Sequence, residues 1–111
     1  MVISNKIESY SIQIVSNYSG GGGYQMGFVY LYGEDLNYLG YLGIIKDGQS
    51  LPQNKLHSNG VMNIYFHENE LQTILDTLRN ELEVTLEFNS SSKWASLSTN
   101  KQLAGKGELA A

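Results

Sequence analysis

One stretch of this chain carries its apolar residues at helical spacing, while the other ordered stretches alternate with a period of two. In "NELQTILDTLRNEL" (69–82), Leu71, Ile74, Leu75, Leu78 and Leu82 recur every three or four residues and so line one face of a helix. Asn69 is placed to cap the first turn, with Gln72 reaching back as in a capping box. Arg79 stands near the C-terminal end, where the helix dipole favours a cation. A lone amphipathic helix must bury its stripe, and the partner offered by the remaining pattern is a sheet.

Residues 6–16, "KIESYSIQIVS", set Tyr10, Ile12 and Ile14 against Ser9, Ser11 and Gln13, which predicts a half-buried strand. "YQMGFVYLYG" (24–33) and "NYLGYLGII" (37–45) read as two more strands, joined by "GEDL". A polar loop at 46–60 contains the one proline, Pro52, and "VMNIYFH" (61–67) forms a fourth strand before the helix. "EVTLEF" (83–88) alternates Val84, Leu86 and Phe88 with Glu83, Thr85 and Glu87, and "WASLST" (94–99) is a short last strand. The expected order is β-β-β-β-α-β-β. It implies an α+β fold, an antiparallel sheet of five to six strands with the amphipathic helix packed on one face. At 111 residues the chain fits one domain over 1–99, followed by a small, polar tail at 100–111 that reads as flexible.

The run Gly20–Gly23 raises the question of phosphate binding. A phosphate cradle needs glycines that lead directly into a helix N-terminus, and a P-loop needs Lys followed by Ser or Thr. Here the glycines lead into a strand and the next lysine is Lys46, so they read as a hairpin connection.

If "GEDL" is a four-residue loop, Tyr32 lies opposite Asn37, Tyr30 opposite Leu39 and Phe28 opposite Tyr41. One sheet face then carries Phe28, Tyr30, Tyr32, Leu39 and Tyr41, and the other Val29, Leu31, Leu42 and Ile44. The all-aliphatic helix stripe suits the second face. The first, with Phe28, Tyr30, Tyr32 and Tyr41, becomes the candidate binding face, read as a subunit interface or a second core layer, or else as a ligand platform.

Composition excludes more than it identifies. The net charge is −4 with seven scattered Lys and Arg, which disfavours duplex DNA, whose binding relies on neutralising phosphates. Single-stranded nucleic acid stays open, because strand aromatics can stack bases. The ββββα order resembles that of whirly-type single-strand binders, although the acidic balance opposes it. No apolar run has the length of a membrane span or a signal peptide, and the chain reads as cytoplasmic. The lack of cysteine removes disulfides, thiolate metal sites and cysteine nucleophiles. His57 and His67 lack HxH or HExxH spacing, so no metal site and no cofactor is expected. The serines carry no GxSxG signature, and no residue is assigned a catalytic role.

The C-terminal half, from "IYFHENELQTILDTLRNELEVTLEF" to "LSTNKQLAGKGE", resembles a group of small bacterial proteins. They share a DxLRNE-like helix end and a late GxGE segment, matched here by Asp76–Glu81 and Gly105–Glu108. The chain departs from the pattern where "KQLA" lacks a proline before "GKGE". The resemblance implies the α+β fold and a tail held in place, and it supplies no catalytic residue. The expected function is therefore a non-enzymatic binding or assembly module, most simply a homodimer formed through the tyrosine face. A single-strand binder is one alternative, and a small enzyme with a pocket near His57 or His67 is another.

Overall fold

The alternation along residues 2–14 changes phase at Glu8, and there the chain turns a corner. Ile3 and Ile7 face the core before it, and Tyr10 does so after it, so the inward positions pass from odd to even numbers. In the computed structural model, which describes residues 1–16, 24–81 and 83–99, the two segments are separate strands. β1 (Val2–Ile7) and β2 (Ser9–Ile14) lie in different sheets. The single strand predicted over 6–16 is corrected accordingly, because a one-residue slip lets one segment serve two sheets at a corner.

The remaining elements are β3 (Gln25–Tyr32), β4 (Tyr38–Ile45), β5 (Lys55–Leu56), β6 (Met62–His67), α1 (Leu71–Asn80), β7 (Val84–Asn89) and β8 (Ala95–Thr99). The fold is α+β, with strands in two sheets rather than the expected one. A three-stranded sheet has the order β1-β7-β8, and a five-stranded sheet the order β2-β3-β4-β6-β5. The pairing is antiparallel except between β4 and β6, which run parallel. The long polar segment after β4 is therefore a crossover, not a hairpin loop, and it deposits the short β5 beyond β6. Burial agrees, since β4 is shielded on both faces through most of its length, as strands with parallel neighbours usually are.

The core lies between the sheets. Val29, Leu31, Leu42, Ile44, Met62 and Ile64 from the five-stranded sheet meet Leu86 and Phe88 of β7, with Ile74 of α1 closing the cluster. The aliphatic face thus takes the helix, as its pattern predicts, and also takes the second sheet. Within the helix Ile74 is buried, while Leu71, Leu75 and Leu78 pack partly against the core. The side chain of Leu82 and the glycine run 20–23 lie outside the described residues, as does the tail at 100–111.

The helix entry differs from its prediction. A 3-10 turn (Glu68–Glu70) precedes α1, and the Glu70 carboxylate, not Gln72, reaches back to accept from His67 N at 3.2 Å. Asn69 instead donates its own N–H to Asp47 Oδ1, and Gln72 bonds Asp76 one turn on. Among the described residues, no helix is long and apolar enough to cross a membrane.

Candidate interaction face

The tyrosine-bearing face is assembled by three strands and corrected by one bulge. Tyr30 stands opposite Tyr41 and Phe28 opposite Gly43, a two-residue shift from the predicted register. The connection spans 33–37, one residue more than "GEDL", with Gly33 N donating to Asn37 O at 2.7 Å. Leu39 is then an extra residue on β4, because Tyr32 pairs with Tyr38 and Leu31 with Gly40. Leu39 accordingly enters the core, and Tyr38 takes the place predicted for it on the aromatic face.

Phe28, Tyr30, Tyr32 and Tyr41 do come together, joined by Tyr38 and by Tyr65 of β6. The six rings form a continuous ladder. Phe28 stacks on Tyr30 with centroids 5.8 Å apart, and Tyr41 meets Phe28 edge-on at 5.1 Å and Tyr65 at 6.0 Å. Gly43 makes the last contact possible. A Cβ there would fall 2.7 Å from the Tyr65 ring, so its absence lets that ring lie across β4. Tyr65 was legible in "VMNIYFH" as a position alternating with Met62 and Ile64, but its neighbour was not, because the parallel pairing was not foreseen.

The rings engage one another by their faces and edges, leaving the hydroxyls as polar handles. Tyr41 Oη and Tyr65 Oη are 3.0 Å apart, Tyr30 Oη donates to Gln13 Oε1 at 2.7 Å, and Tyr32 Oη lies 3.4 Å from Ser11 Oγ. β2 thus contributes a polar margin of Ser11 and Gln13, and β6 and β5 contribute Asn63 and Lys55 on the other side. No carboxylate stands at these strand positions, although the chain as a whole is acidic.

Burial, followed by the hydrogen bond to Tyr65 and the neighbouring phenols, holds the Tyr41 hydroxyl well above the ordinary tyrosine value of 10.0. Tyr38 is raised by burial and then by Tyr30 and Tyr32. A phenol raised on folding stays protonated while the unfolded chain ionises. The associated stability is complete below the ordinary value and is lost as pH climbs above it. An absorbance titration at alkaline pH should therefore show a phenolate fraction that appears together with loss of the near-ultraviolet dichroism. Complete ionisation of the tyrosines with the near-ultraviolet dichroism still intact would contradict this packing.

The remaining candidates do not converge. His57 Nε2 lies 2.9 Å from Asn63 Nδ2, whereas His67 Nε2 contacts Gln49 O at 2.7 Å. Among the described residues, no three His, Asp or Glu side chains are grouped to hold a metal. On the outer face of the three-stranded sheet Glu87 accepts from Ser98 at 2.8 Å and more weakly from Ser4 and Ser96, a carboxylate satisfied by hydroxyls. A groove between α1 and β8, lined by Phe66, Ile74, Thr77, Trp94 and Leu97, holds neither histidine. Compared with family models, curated proteins and solved structures, the chain matches none.

Proposed function

We propose that the protein is a non-enzymatic binding and assembly module, acting through the tyrosine face, with a second copy of the same chain as its simplest partner. The observation that carries this reading is the closed ring ladder. Rings already engaged with one another by face and edge are poorly placed to stack bases, whereas rigid aromatics bordered by Ser11, Gln13, Asn63 and Lys55 suit a protein surface. The lack of carboxylates at those strand positions also spares two acidic chains like-charge repulsion where they would meet. An isologous pair about a two-fold axis is the simplest closed arrangement. The cysteine-free composition accords with a reducing, cytoplasmic setting.

The test is the mass in solution of the wild type and of the double variant Tyr30→Lys, Tyr41→Lys. The lysines set like charges across the interface, and the variant should lose that association while keeping its far-ultraviolet dichroism. A wild type that stays monomeric at high concentration, yet is retained on single-stranded DNA in a salt-dependent manner, would instead make the face a nucleic-acid platform.

A further inference from the structure

The outer edge of the five-stranded sheet carries a second, chemically different surface. Among the described residues β2 is an edge strand, six residues long, "SYSIQI", with neither charge nor proline in its span. Those are the devices by which natural sheets blunt an open edge. The other edges differ. β5 is two residues long and contains Lys55, β1 carries Lys6, and β8 exposes no large apolar residue within its span.

Val15 N donates to Met26 O at 2.9 Å. By the alternation of an antiparallel ladder, the N–H and C=O groups of Ile14 and Ile12 then point away from β3. Their side chains lie on the core side of the sheet yet are 78% and 39% exposed. They border a small apolar notch of about 200 Å³ completed by Val15, Met26 and Leu71.

We propose that β2 pairs antiparallel with β2 of a second copy about a two-fold axis at Ile12, making the two sheets continuous. The pattern of the strand selects that register. Paired residues in such a ladder must share a face, so the axis passes through a residue. With the axis at Ile12, Ile12 meets its own symmetry mate and Ile14 meets Tyr10, so the inward residues of both strands cover one another. An axis at Ser11 would set Glu8 against Ile14, and one at Gln13 would pair only residues 12–14 of β2 with one another. On the opposite side Ser11 meets Gln13, which extends the polar margin of the aromatic face across the junction. This interface shares no aromatic ring of the tyrosine ladder, so it stands or falls separately from the assembly proposed above.

The chain has no cysteine, so a single introduced thiol reports the pairing directly. Opposed residues in a hydrogen-bonded antiparallel pair have Cα atoms about 5.5 Å apart, within disulfide range. Full-length Ile12→Cys should convert to a disulfide-linked dimer on mild oxidation, whereas Ser58→Cys, in an exposed turn, should remain mostly unlinked. The double variant Ile12→Lys, Ile14→Lys should lose one two-fold association, read as a halving of the mass in solution, with unchanged dichroism. Tyr30→Lys, Tyr41→Lys should leave the Ile12→Cys cross-link intact. Equal cross-linking at positions 12 and 58 would overturn the proposal. So would a mass unaffected by the lysines at 12 and 14, or capture by β2 of a foreign extended peptide while the chain itself stays monomeric.

Discussion

Gly40→Ala should leave much of the protein unfolded under mild conditions. Gly40 lies at the bulge in β4 with φ +139°, and a Cβ there would fall 1.9 Å from Met62 O and 2.7 Å from Met62 N. Both are backbone atoms of the parallel neighbour, so no side chain can rotate aside. A residue forced into a sparsely populated backbone region costs about 1–3 kcal/mol, and overpacking adds about 1–3 kcal/mol. The total is a large fraction of the roughly 5–15 kcal/mol that holds a typical domain together. Gly48→Ala is the natural control. Gly48 also has positive φ, +85°, but nothing lies within 4 Å of the Cβ it would gain. In urea the Gly40 variant should unfold at clearly lower denaturant than the Gly48 variant. Equal midpoints would mean that β4 and β6 do not approach so closely.

Phe88→Ala should be the costliest truncation in the core. Phe88 is fully buried, and β7 sets it between Ile3 of β1 and Ala95 of β8, beneath the five-stranded sheet. The inner faces of both sheets thus meet at this ring. Removing a buried phenylalanine costs about 3–5 kcal/mol, because the cavity left behind collapses only in part. Trp94→Ala provides the contrast, since Trp94 is 59% exposed and its loss should shift the denaturation midpoint little. A Phe88 variant as stable as the Trp94 variant would mean that the two sheets do not share a core.

These two residues also show where sequence reading succeeds and where it stops. Phe88 was legible, because "EVTLEF" alternates without interruption and its apolar members could only face inward. The helix was legible for the same reason, its stripe keeping phase from Leu71 to Leu78. The bulge was not. A period-two pattern is blind to one extra residue, and Leu39 is apolar in either register, so nothing local separated it from Tyr38. The corner at Glu8 did leave a trace in the shift from Ile3 and Ile7 to Tyr10, Ile12 and Ile14, hidden by the polar residues between. The parallel pairing of β4 with β6 depends on a long-range choice of neighbour, which no local period encodes. Of the aromatic face, four of six rings were therefore found from sequence, and the others entered through the bulge and the crossover.

The corner at Glu8 also bears on the order in which the structure can form. β2, β3 and β4 are consecutive in the chain, so their pairings close early and over short loops. β1, joined to β2 through Glu8 alone, has β7 as its one partner among the described residues, with Val2 opposite Asn89. During synthesis β1 must wait, already tethered to a sheet that has no place for it, until β7 has emerged. Long-range pairings of this kind are the slow ones, since loop closure precedes the contacts that reward it. β1, made before the strands of the five-stranded sheet, is therefore docked after β2, β3 and β4 have paired.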